Sequence, residues 1–154
     1  MSRDPMTADA LPALRSLVVK DRVGLGGLPA AQQSLALALA WAGLPAGATC
    51  KEREVNEGLK AQLAGAVAFL DTDHVELRRW LVDAGWLARD GYGREYRPVA
   101  VEALTANQQA LVASMTQALA GQGAAAWVTE QRAQRQARRD ARRRAWQAGQ
   151  GPAA

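Results

Sequence analysis

The sequence predicts a mainly α-helical chain whose central part is three helices followed by a β-hairpin, with additional C-terminal helices. Three observations carry this. Ala and Leu dominate the 154 residues and aromatics are 5%, a composition that favours helix. Apolar residues recur at three- and four-residue spacing through the stretches 49–64 and 71–84. Directly afterwards Asp90-Gly91 stands between two short arms, a strong hairpin signal.

Each element has its own signals. Pro29 opens a helix running to Ala42 that is apolar almost all round from Leu35 onward, so it is expected to be buried. Leu44-Pro45-Ala46-Gly47 ends it. Thr49 is the expected cap of the next helix, and Glu52 completes a Thr-x-x-Glu capping box. Val55, Leu59 and Leu63 make its apolar stripe. A further helix starts at Asp71 or Thr72, with Asp73 and Glu76 in its first turns, where negative charge suits the helix dipole. Leu77, Trp80, Leu81 and Ala84 are its expected buried face. Gly85 stands where a helix end wants left-handed geometry. The arms 86–89 and 94–97 flank the turn Asp90-Gly91-Tyr92-Gly93. Helices and hairpin in this order are the layout of a winged helix-turn-helix, expected over residues 28–100.

Short motifs here resemble a bacterial family. Glu54-Val55-Asn56, Asp73-His74, Leu77-Arg78-Arg79, Leu81-Val82-Asp83, Arg89 and Tyr96-Arg97 are similar, in this order, to domain of unknown function 2087. The resemblance covers roughly residues 28–98. Members of that family resemble winged-helix transcription factors and are sometimes fused to regulator domains, so the resemblance implies fold more than mechanism. The sequence departs from the pattern twice. Its connection from Lys60 to Leu70 is longer than expected, and Cys50 stands where an aromatic is usual.

Composition narrows the function classes. A hydrophobic content of 49% suffices for a real core. No apolar run approaches the roughly 20 residues of a membrane span, so no membrane partner is expected. MSRDPMTADA holds no hydrophobic signal core, and a cytoplasmic protein is expected. The single Cys50 forms no internal disulfide and, with His74 the one histidine, speaks against metal clusters and His-based triads. No Gly-Lys-Ser/Thr follows Gly24-Leu25-Gly26-Gly27, so that cluster is no phosphate loop. Without paired acids, an activated nucleophile or a cofactor loop, the chain reads as a non-enzyme that needs no cofactor.

The net charge of +4 must be divided. Residues 1–129 hold 12 Lys and Arg against 13 Asp and Glu, whereas residues 130–154 hold seven Arg against Glu130 and Asp140. The basicity lies in the tail.

Outside the central domain, residues 1–27 read as a leader. Residues 1–9 are expected to be disordered. Ala10 to Val19 reads as a short helix carrying Leu14, Leu17 and Val18, or else Val18-Val19 and Val23 form a strand. The glycine cluster reads as a hinge. Residues 101–123 hold a helix from near Thr105 with Leu111, Val112, Met115 and Leu119 on one side. It either covers the core or makes a homodimer. Residues 124–154 favour another helix, on which Arg132, Arg135, Arg139 and Arg142 follow 3-4-3 spacing over about 15 Å of one face. Arg138 and Arg143 widen the stripe.

A winged helix suggests DNA, with the helix 73–84 as reader. Arg78 and Arg79 are then the base or phosphate contacts, alongside Arg89, Arg94 and Arg97 from the hairpin. The tail stripe adds phosphate contacts, with its Trp residues as stacking groups. Against this, Asp71, Asp73, Glu76 and Asp83 outnumber the two arginines of the reading helix. That keeps a second class open: a protein-interaction module whose tail is solvated or binds RNA or acidic protein. Val75 and Val82 point away from the main apolar side and either meet another element or face a partner. Trp80 and Trp86 read as core.

Overall fold

The structure, a computed structural model, describes residues 10–149. The expectation for residues 1–9 and the end of the tail, 150–154, lie outside the described residues. The chain is mainly helical with a small three-stranded antiparallel sheet. At its centre is α2 (Ala30–Ala42), entered through Pro29 at φ −56°. Every residue from Leu35 to Trp41 is buried, because helices lie on several sides of it. Trp41 donates its Nε1–H to the Val99 carbonyl at 2.8 Å and meets Trp86 at 5.6 Å between ring centroids, tilted by 50°. Both the apolar faces and the indole N–H are thereby satisfied.

After α2 come β1 (Cys50–Lys51), α3 (Glu52–Ala64), α4 (His74–Asp83), β2 (Leu87–Arg89) and β3 (Glu95–Pro98). The predicted hairpin is present, with Leu87 opposite Pro98 and Arg89 opposite Tyr96. Its turn takes left-handed geometry at Gly93, φ +68°, and Asp90 Oδ1 accepts from the backbone N–H groups of Tyr92 and Arg94. Strand β1 is an addition that sequence periodicity did not show. It pairs with β3 through Cys50↔Tyr96 and Lys51↔Glu95, making the order β1-β3-β2. This pairing also corrects the expected capping box. Extended backbone at Cys50 and Lys51 delays the helix, so Lys51 is its N-cap residue and Glu54, not Glu52, accepts the Lys51 N–H, at 3.1 Å.

Helix α4 begins at His74, three residues later than the earliest predicted start, Asp71. Asp73 is its cap, accepting from Glu76 N at 2.8 Å. Leu77 and Leu81 are fully buried, Trp80 is half-buried, and Ala84 is exposed rather than part of the buried face. Ala84 has already left the helix as its C-cap residue. Gly85 at φ +83° follows it, and the N–H groups of Gly85 and Trp86 bond back to Val82 and Leu81 at 3.1 and 2.9 Å. That is a Schellman ending.

Within the expected leader, residues 10–18 pack on the rest of the chain. Helix α1 (Ala10–Val18) buries Leu14, Leu17 and Val18 against α2, α5 (Ala106–Leu119) and α6 (Ala124–Gly149). The glycine cluster is a packed 3-10 turn, Leu25–Gly27, rather than a hinge: Leu25 is buried and its carbonyl takes the Gln33 amide. Val23 bridges in parallel to Leu70, bonding Phe69 O and Asp71 N at 3.0 and 2.9 Å. The long connection between α3 and α4 is held there, and it buries Val67 and Phe69. Helix α5 is capped by Thr105, near the expected start, and sends Leu111, Met115 and Leu119 into the chain's own core. No helix among the described residues is long and apolar enough to cross a membrane.

Candidate nucleic-acid interface

Two basic regions stand out: the cleft between α4 and the hairpin, and the exposed length of α6. The cleft, of about 300 Å³, is lined by Val75, Arg78, Arg79, Val82, Asp83, Arg89 and Tyr96. Its floor is Tyr96, buried in β3, with the Arg78 guanidinium 5.3 Å above the ring centroid. Arg78 also donates to Asn56 Oδ1 at 2.6 Å and Glu52 Oε1 at 3.1 Å on α3, and its side chain is 17% exposed. It is a strut joining α3, α4 and β3. The sequence placed Arg78 with the contacts of the reading helix but did not show these partners, 22 to 26 residues away.

Arg79 points outward from α4 and Arg89 rises from β2; both are exposed. Strand alternation turns Tyr96 and Pro98 inward, so Arg97 lies on the outer face of the sheet with Glu95. Arg94 is exposed at the turn. The cleft therefore brings Arg78, Arg79 and Arg89 together, without Arg94 or Arg97 in its lining, while Arg97 shares a smaller neighbouring pocket with Arg89. Val75, 43% exposed, and half-buried Val82 form the apolar wall of the cleft. Tyr92 at the hairpin tip is 88% exposed. Asp90 is pushed up by desolvation, but the backbone N–H groups of Arg94, Glu95, Tyr92 and Gly93 outweigh this and hold it below its ordinary value. It stays a carboxylate and fixes the turn. Cys50 is buried, and burial followed by the nearby Glu54 raises its thiol, which disfavours the thiolate.

Helix α6 has two parts. Trp127, Val128 and Gln131 are buried, so Trp127 is a core residue rather than a stacking group. Arg132 is committed to α1: it donates to the carbonyls of Val18 and Lys20 at 3.0 and 2.8 Å and pairs with Asp21. From Ala133 to Gly149, about 25 Å of helix, every side chain is exposed except half-buried Asp140. Arg135, Arg139 and Arg142 lie on this free length. Among the described residues no cluster of His, Cys, Asp and Glu could hold a metal ion.

Residues 29–98 match the model of a bacterial family described as an uncharacterized protein conserved in bacteria, domain of unknown function 2087. The match covers 70 of the 154 residues. No curated protein and no solved structure matches the chain. The matched region spans α2 to β3 and contains the whole α4–hairpin cleft, whereas α1, α5 and α6 lie outside the match.

Proposed function

We propose that the chain is a winged-helix DNA-binding protein, a transcriptional regulator, in which α4 and the hairpin face the duplex and α6 contacts phosphates. The observation that carries the reading is the element order α2-β1-α3-α4-β2-β3 with the sheet order β1-β3-β2. In a winged helix the third helix enters the major groove and the hairpin flanks it. Here α4 is that helix. Arg79 and Arg89 stand exposed on the side away from the core, where base edges and phosphates would lie.

The test is binding of the full chain to random and genomic duplexes at two salt concentrations, beside an Arg79→Gln, Arg89→Gln variant. Binding that weakens in the variant is expected. Absence of duplex binding at low salt sinks the reading. A second reading is supported by Val75 and by the exposed Asp71, Asp73, Glu76 and Asp83 around α4: the cleft docks a protein. Wild-type duplex affinity retained in the double variant favours it.

A further inference from the structure

We propose that the free face of α6 takes an unpaired DNA strand, with Trp146 as the platform on which a base stacks. The proposal rests on the reading of α6 as a phosphate-contacting arm and adds what that arm holds. Trp146 is 63% exposed, whereas Trp41, Trp86 and Trp127 are buried in the core. The place of Trp146 on the helix is specific. Arg143, Arg142, Arg139 and Arg135 precede it by three, four, seven and eleven residues, the spacings that bring side chains onto one helical face.

Arg139, Arg142 and Arg143 have no ion-pair or hydrogen-bond partner among the described residues. Asp140, the one acid on this length, accepts from Gln136 at 3.0 Å. The face is therefore a line of guanidinium groups, of which Arg135 and Arg139 also act at a distance on Asp21, ending in an aromatic surface. Phosphates match the first, and the second needs the flat side of a base. A closed duplex hides those sides; an unpaired strand offers one per nucleotide. The opposite face carries Ala133, Ala137, Ala141 and Ala145, too little apolar bulk for insertion into a lipid surface.

The experiment uses the full chain with fluorescein-labelled dT20, rU20 and a 20-base-pair duplex at two salt concentrations, in wild type, Trp146→Ala and Trp146→Phe. Stacking on one aromatic side chain corresponds to a loss of about 5- to 150-fold on its removal. Trp146→Ala is expected to weaken dT20 by a factor in that range with an unchanged salt slope, Trp146→Phe to restore most of it, and duplex affinity to stay as in wild type. Equal dT20 affinity in Trp146→Ala overturns the proposal. So does an equal loss on duplex, or rU20 binding tenfold tighter than dT20. Wild type that binds dT20 but no duplex sinks the winged-helix reading and leaves this one standing.

Discussion

Arg132 closes the C-terminal end of α1 and pairs with the Asp21 carboxylate, so one side chain fixes where the arginine helix leaves the body of the protein. Its two backbone bonds, to Val18 O at 3.0 Å and Lys20 O at 2.8 Å, satisfy carbonyls at and just beyond the helix end, which lack intrahelical partners. A cation there also suits the negative end of the dipole. Arg132→Gln should therefore loosen α6 from α1 without melting the core. Faster amide exchange confined to residues 124–132 and the end of α1 is the expected result. Exchange unchanged there would mean that Trp127 and Val128 hold the junction unaided.

Asp21 makes the same junction pH-dependent. The Arg132 hydrogen bond, then its charge, hold the Asp21 carboxyl below its ordinary value, with Arg135 and Arg139 adding to this. A depressed folded-state value means that the unfolded chain takes up the proton first. The contribution is then complete at neutral pH and is lost as pH falls below about 4, the ordinary carboxylate value, toward the depressed one. Urea midpoints of wild type and Asp21→Asn should differ at pH 7 and converge in acid. A difference that stays constant with pH would remove the ion pair from the account.

Arg78→Ala should destabilise the fold by about 1–3 kcal/mol, because it strips two charge-assisted hydrogen bonds and a cation–π contact from the α3–α4–β3 junction. Arg78→Lys keeps the charge but not the planar guanidinium that stacks on Tyr96. It should recover only part of the loss. Urea denaturation measures both. Full stability in Arg78→Ala together with lost duplex affinity would return Arg78 to the role of a contact.

Gly85→Ala should cost about 1–2 kcal/mol, since φ is +83° and a side chain is strained there. Space is not the reason: a Cβ would meet only Gln108 Nε2, at 3.7 Å. Leu81→Ala one turn earlier should cost about 2–5 kcal/mol by leaving a cavity in a fully buried position. A cost for Leu81→Ala below about 1 kcal/mol is inconsistent with that burial.

Those two residues show what was legible. Gly85 and the Leu77–Leu81 stripe are local signals, set by neighbours within four residues, and the structure bears them out, whereas the helix start expected at Asp71 or Thr72 falls later, with Asp73 as the cap. What the sequence hid is non-local. Strand β1 has two residues and no period to detect, yet its pairing with β3 moved the start of α3 past Thr49. Arg132 looked like one more member of a 3-4-3 stripe. Its partners are 111 to 114 residues away, at the end of α1. Spacing shows which side chains share a face, but not which of them the rest of the chain has already taken.

That distinction sets the expected salt dependence of the tail. Arg132 is occupied, so the stripe available to phosphates starts at Arg135. Replacing Arg135, Arg139 and Arg142 by Gln keeps helix propensity and removes three charges. Each phosphate contact releases condensed counterions, so log affinity falls linearly with log salt. The triple variant should lower that slope by up to about 2.7 on duplex DNA, or about 2.1 on a single strand. Adding Arg132→Gln should change the slope little more, while loosening the α1 junction. Any sequence preference should survive the triple substitution, because phosphate contacts position a protein without reading bases. An unchanged slope would make the free length of α6 a solvated helix. A lost preference would instead place base reading on α6 and remove it from α4.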